Sequence, residues 1–143
     1  MNYRYLDDIA MADAVFEAVG EDLPSLFKAA AAATMHVMVD PPSAIEGKTN
    51  RKIRLADEEL DLLLFQFLQE LIYYKDAEDL LLRVPEIAVV KGEGGYVLEA
   101  TARGEHRDPE RHRLEVDVKA VTLHHLQVKQ VQNGWEATVV LDV

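Results

Sequence analysis

The sequence predicts an α+β fold in which two helices pack on largely antiparallel β-sheet, and three observations carry that expectation. Leu60, Leu63, Leu64, Phe67, Leu68, Leu71 and Ile72 recur in unbroken 3,1,3,1 spacing, the mark of one apolar helix face. A second helical stretch, rich in alanine, lies between Asp22 and the Pro41-Pro42 pair. From Leu80 onward the pattern changes to short apolar runs separated by turn residues, with no helices between them to carry parallel crossovers. At 143 residues, 49% of them hydrophobic, the chain suits one domain spanning 1–143 and can bury a core without covalent staples.

Taken in order, Tyr3 to Leu6 and Ala14 to Val19 read as strands, the second alternating in burial before Gly20 punctuates it. Asp22 then supplies an N-cap and Pro24 a first-turn residue whose missing N–H costs little. Leu23, Leu26, Phe27, Ala30, Thr34, Val37 and Met38 follow at helical spacing, and Ala29 to Ala33 make the helix thin enough to approach a sheet closely. Residues 43–51 are polar and predict a loop, with Lys52 to Leu55 a strand after it. The second helix is expected from Asp57, its cap, to Tyr74, with Glu58 and Glu59 in the first turn where negative charge complements the macrodipole. Strands are then expected at Leu80–Val84, Glu86–Lys91, Tyr96–Arg103, Leu114–Thr122, His125–Val131 and Trp135–Leu141. Asn133-Gly134 predicts a type I′ hairpin turn, and Gly92-Glu93-Gly94-Gly95 reads as a hairpin loop because it does not open a helix as a phosphate loop would.

Composition closes several functional classes. The chain has no cysteine, so disulfides, thiolate zinc sites and thiol nucleophiles are excluded, and a reducing cytoplasm is the expected location. No apolar run approaches the ~20 residues that span a bilayer, and the start has neither a basic nor an apolar leader region, which predicts a soluble, unprocessed protein without a membrane partner. Twenty-six acidic against fifteen basic residues give a formal charge of -11, the wrong sign for direct nucleic-acid binding. The same excess suits a solvated surface, a basic protein partner or a hard cation.

The carboxylates are the first place to look for chemistry. Asp7, Asp8 and Asp13 lie between or at the edges of the first two strands, and Asp142 with the Val143 carboxylate stands at the end of an apolar strand. If the first and last strands are neighbours, these oxygens converge as donors for calcium or magnesium in preference to zinc; otherwise they are turn formers and caps. His124 and His125, adjacent on an expected strand, should point to opposite faces, and His36 on the first helix has no partner obvious in sequence. Lys119, inside an apolar strand, suits an edge strand that resists aggregation. Trp135, Tyr73 and Tyr74 sit where packing is their usual role. No serine is placed with a plausible base, so a nucleophilic hydrolase has little support.

The order of these features resembles the archease family over nearly the whole chain. The resemblance rests on Tyr3-Arg4-Tyr5-Leu6, Ala12-Asp13, Gly20, Ala29 to Ala33 with Met38-Val39-Asp40, Gln69-Glu70-Leu71-Ile72-Tyr73, Gly104-Glu105, Lys119-Ala120-Val121-Thr122-Leu123-His124 and Val140-Leu141-Asp142-Val143. The Lys119–His124 stretch together with the aspartate-aliphatic end is the specific part. The resemblance implies an archease-like topology and an accessory function: activation of a GTP-dependent RNA ligase of the RtcB type in tRNA splicing or RNA repair. In that role it would promote attachment of GMP to the ligase and allow repeated turnover. The ligase would handle the RNA, in keeping with the acidic composition of this chain.

At matching positions the resemblance also implies that Asp13, Asp142 and Val143 bind a divalent cation, calcium first, with magnesium and manganese as alternatives. The family's usual His-Thr before Ala-Asp is here Ala10-Met11, so any role of that histidine is not carried over. Two other classes stay open: a standalone metal-dependent hydrolase using the same carboxylates, and a metal-independent interaction or chaperone-like module.

Overall fold

The computed structural model describes residues 2–6 and 13–143. Strands β1 (Asn2–Leu6) and β2 (Asp13–Gly20) form an antiparallel pair and lead into helix α1 (Leu23–Met38). A single 3-10 turn (Pro42–Ala44) and strand β3 (Thr49–Asp57) connect it to helix α2 (Leu60–Glu78). Strands β4 (Leu80–Gly92), β5 (Gly95–His106), β6 (Ala120–Val121), β7 (Gln127–Val131) and β8 (Gly134–Asp142) complete the order. They make two sheets, one of order β3-β5-β4 and one running β1-β2-β8-β6 with β7 also paired to β8. All of the pairings are antiparallel.

The helices bridge the sheets. Helix α1 packs on β2 and β4, and α2 on β3, β4 and β6, so one core lies between the two sheets. Helix α1 starts where its cap dictates: the Asp22 carboxylate accepts the Ser25 N–H at 2.9 Å. Ala29, Ala30, Ala31 and Ala33 are buried, the small side chains letting the helix backbone approach its neighbours. The α2 stripe is buried from Leu63 to Ile72 with every member at 2% exposure or less, while Leu60, in the first turn, is partly exposed but packed on the core. Among the described residues no helix is long and apolar enough to cross a membrane.

Several elements differ from their sequence-based expectation. Residues 43–51 are not one loop: the turn at Pro42–Ala44 is followed by β3 from Thr49, paired to β5 along its whole length. Asp57 ends β3 rather than capping α2; its carboxylate reaches forward to the Glu59 N–H at 2.9 Å and to Gln66 Nε2 at 2.7 Å. The helix runs four residues past Tyr74, to Glu78, and stops at Asp79 in the left-handed conformation, φ 57°. Leu80–Val84 and Glu86–Lys91 are one strand, with an irregularity in register between Arg83 and Glu86 where Pro85 has no N–H to give a ladder.

The expected strand Leu114–Thr122 shrinks to Ala120–Val121, because the residues before it have other partners. Glu115 and Val116 donate their N–H groups to the Met38 and Val37 carbonyls, and the Asp40 N–H returns to the Arg113 carbonyl. The segment thereby satisfies carbonyls that the end of α1 leaves open. The β7–β8 turn is also not type I′: Val131 pairs with Gly134, placing Gln132 and Asn133 at the centre, and of these only Asn133 has positive φ, at 69°. Gly134 is needed one position later, since a Cβ there would lie 2.3 Å from the Gly20 carbonyl oxygen. The glycine segment before β5 is a hairpin loop as expected, closed by Gly92 opposite Gly95.

Candidate functional site

Strand β8 organises the site. It is flanked along one side by β2 and along the other by β7 and then β6, so its last residues lie between two strands. Asp13 opens β2 and is the direct partner of Asp142, the last residue of β8, which on its other side faces Ala120. The Lys119 N–H fixes the Asp142 carbonyl at 2.8 Å, and the Thr122 N–H fixes that of Val140 at 3.0 Å. The Lys119–Thr122 stretch therefore acts as a backbone clamp on the end of β8.

Directly opposed residues of an antiparallel pair share a face, with Cβ atoms about 4.5 to 5.5 Å apart, so the register sets the Asp13 and Asp142 side chains beside one another. Like charges in this position repel one another, and a cation between them would relieve that cost. The donors are oxygens without histidine or cysteine, the chemistry a hard divalent ion takes. Val143, packed against the core, places the backbone of the chain end beside them. Asp13 is partly buried and Asp142 exposed. Among the described residues no group of three or more His, Asp or Glu side chains converges as a metal site. A calcium ion takes six to eight oxygens, so water or a partner would have to complete the shell. Asp7, Asp8 and the Ala10-Met11 pair lie outside the described residues.

The histidines are arranged differently from the sequence reading. His124 and His125 do not alternate on a strand: they form a turn with His125 at φ 58°, and their rings lie 4.0 Å apart on the exposed surface. His36 does have partners. Its Nδ1 meets the Tyr3 hydroxyl at 2.9 Å and its Nε2 meets Asp40 Oδ1 at 3.1 Å, while the Tyr5 hydroxyl donates to the Ala33 carbonyl at 2.8 Å. Burial first, and the negative charge of Asp40 after it, push the Tyr3 phenol above its ordinary range. For Tyr5 burial again comes first, then Tyr3 and Asp40, with the same sign. The phenols stay protonated and serve as hydrogen-bonding groups. The i,i+4 spacing of His36 and Asp40 was the available signal, hidden because the helix ends at Met38.

A buried polar cluster was also missed. Glu105, 5% exposed, accepts the Glu46 N–H at 2.6 Å and His112 Nε2–H at 3.1 Å, and pairs with Arg111. The Asp108 N–H donates to His112 Nδ1 at 2.9 Å, which fixes the neutral ring with its proton on Nε2, aimed at the carboxylate. Burial pushes the Glu105 carboxyl up, but the Glu46 amide and the Arg111 and His112 side chains outweigh it and hold its pKa at about 2. The cluster ties β5 to residues 46 and 108–112, a structural role. Lys75, 2% exposed, follows the α2 stripe and bonds Asp117 Oδ1 at 2.5 Å and the Val118 carbonyl at 2.8 Å.

Comparison with known proteins agrees with this architecture. Residues 3–143 match the model of the Archease protein family. Protein archease of Methanosarcina acetivorans is 36% identical over 144 residues, covering 99% of this chain and 95% of that protein. Protein archease of Pyrococcus abyssi is 37% identical over 133 residues, covering 92% and 93%. The solution structure of Methanobacterium thermoautotrophicum protein 1598 superposes with a TM-score of 0.84 at 32% identity, covering 99% of this chain and 98% of that one. A crystal structure from Thermotoga maritima, described as an archease and possible chaperone, shares the fold with a TM-score of 0.58 at 16% identity, covering 94% and 93%. A family match along nearly the whole length, with relatives above 30% identity over the same span, leaves one assignment: this chain belongs to the archease family.

Proposed function

We propose that this chain is a protein activator of a GTP-dependent RtcB-type RNA ligase, promoting ligase guanylylation and repeated turnover, and that Asp13, Asp142 and Val143 form its working face around a divalent cation. The observation that carries the reading is the β2–β8 register, which sets Asp13 directly against Asp142 within a chain of the archease family. When bound, a calcium-like ion would neutralise the paired carboxylates and present positive charge to oxygen ligands of the partner. The chain's own contribution is positioning. The β8 backbone, clamped by Lys119 and Thr122, holds the two aspartates on one face, and Val143 is anchored by packing on the core. Asp142, which is exposed, is accessible to a partner's surface in the folded protein. A net charge of -11 leaves RNA contact to the ligase.

A metal-independent interaction module is the second reading, favoured by the description of the Thermotoga maritima relative as a possible chaperone. Guanylylation of a cognate ligase with GTP and manganese, with this protein, its Asp13→Ala and Asp142→Ala forms, or none, separates the two. Both substitutions should lower activation on the order of tenfold or more without lowering the melting temperature. Full activation by both variants would leave the interaction module as the better account, and phosphatase or nuclease activity of the protein alone would indicate a hydrolase.

A further inference from the structure

The cleft between α1, the Pro42–Ala44 turn and the β4–β5 ladder has features that neither the fold nor the aspartate site uses. Arg83 on β4 and Arg103 on β5 are direct cross-strand partners and both line this cleft, with Lys28 contributed by α1. Two like charges directly opposed on one face destabilise a ladder. The described ion pairs engage other cations, including Arg4, Arg51, Arg54, Arg107, Arg111 and Arg113, and none engages Lys28, Arg83 or Arg103. In a chain with 26 acidic and 15 basic residues, three cations around one hollow without a carboxylate among the described residues is a concentration of charge opposite to the whole.

The cleft has a volume of about 420 Å³, within the ~300 to 1,000 Å³ of small-molecule sites. Its accessible walls are mainly apolar, formed by Ala32, Pro42, Val84 and Pro85 and backed by the buried Met35, Ile45 and Leu82. Its shape is held by backbone rather than by long side chains. Gly104, beside Arg103, lies so close to Leu81 that any Cβ would collide with the Leu81 carbonyl, and a Cβ at Gly47 would stand 3.4 Å from the Arg103 stem. The Glu105 network fixes the Glu46 amide next to Ile45.

We infer that this cleft binds a small organic anion, a ligand whose carboxylate or phosphate is held by Arg83, Arg103 and Lys28 and whose apolar body rests against Pro42, Val84 and Pro85. Guanidinium groups suit planar carboxylate or phosphate oxygens because each presents paired N–H donors. Inorganic phosphate would satisfy the charges and leave the apolar wall wet, so it should bind more weakly than an anion carrying an apolar group. The net charge of -11 disfavours an extended nucleic acid as the occupant. This inference is independent of the ligase-activator reading.

Titration of the full chain at low ionic strength with phenyl phosphate, phenylacetate and inorganic phosphate tests it, followed by calorimetry and by amide NMR shifts. Saturable binding of phenyl phosphate or phenylacetate is expected, the stronger arm identifying the anionic group, with inorganic phosphate about tenfold weaker. The Arg83→Gln/Arg103→Gln double variant should bind about tenfold or more weakly, and Lys91→Gln, a change outside the cleft, should bind as the parent does. Perturbed amides should cluster at Ala31, Met35 and Ile45, a readout that stands even if the double variant fails to fold. No saturable binding by any probe, equal affinity of a folded double variant, or shifts clustered elsewhere would overturn the inference.

Discussion

Glu105 shows how a single side chain gains its state from the fold. In an unfolded chain its carboxyl titrates near 4.5, whereas in the folded protein its hydrogen bonds hold it at about 2. Because the folded value is the lower one, the ionised form stabilises the fold fully above the unfolded pKa, and that contribution is lost as pH falls from about 4.5 toward about 2. Glu105→Gln removes this titration, so its urea-unfolding free energy should vary less with pH across that window than the parent's. At neutral pH the variant should be less stable by about 1 to 3 kcal/mol, the cost of breaking a buried hydrogen-bonded cluster. A variant with the parent's slope across the same window would show that the acid sensitivity lies elsewhere. The sequence marked Glu105 only through the Gly104-Glu105 motif; its partners Glu46 and His112 are brought to it by chain reversals that no local spacing reports.

At the scale of elements, what could be read in sequence was whatever one periodicity decides. Helix α2 was legible because its buried stripe is continuous, and α1 because a capping aspartate and a proline pair bracket it. Leu64 lies in the middle of that stripe with 0% exposure, so Leu64→Ala should destabilise the protein by about 2 to 5 kcal/mol in a denaturant titration with unchanged m-value. A loss under ~1 kcal/mol would mean that the stripe relaxes into the void. Segment 114–119 was misread for a reason of the opposite kind. Leu114, Val116 and Val118 alternate as a strand does, yet the segment spends its N–H groups on the end of α1 and is held at Asp117 and Val118 by Lys75. Alternation reports an extended backbone and does not say what that backbone pairs with. The twin histidines failed similarly: a residue in the left-handed region ends an extended run, and nothing in the His124-His125 pair announces it.

For the whole molecule, the important event is that the first and last thirds of the chain meet: β2 and β8 pair from Asp13 with Asp142 to Gly20 with Trp135. The resemblance named the candidate residues, and the register brings them face to face, with two sides of β8 restrained by different segments. That architecture makes the end of β8 testable as a unit. A carboxylate at Val143 would add a third oxygen donor beside Asp13 and Asp142, whereas an amidated end removes its negative charge and leaves a weaker carbonyl, and a C-terminal tag adds bulk as well. Because the β8 hydrogen bonds end at Asp142, neither change touches the ladder, and all three forms should melt at the same temperature without added metal. Calcium should then raise the melting temperature most for the form ending in a free Val143 carboxylate, since a ligand stabilises the folded state in proportion to its affinity. Calorimetric titration should rank affinity in the same order, and ligase guanylylation should follow it. Equal calcium affinity and equal activation in the three forms would remove Val143 from the site and leave Asp13 and Asp142 to hold the ion with water and partner oxygens. Unequal affinity with equal activation would separate the cation from the ligase function altogether.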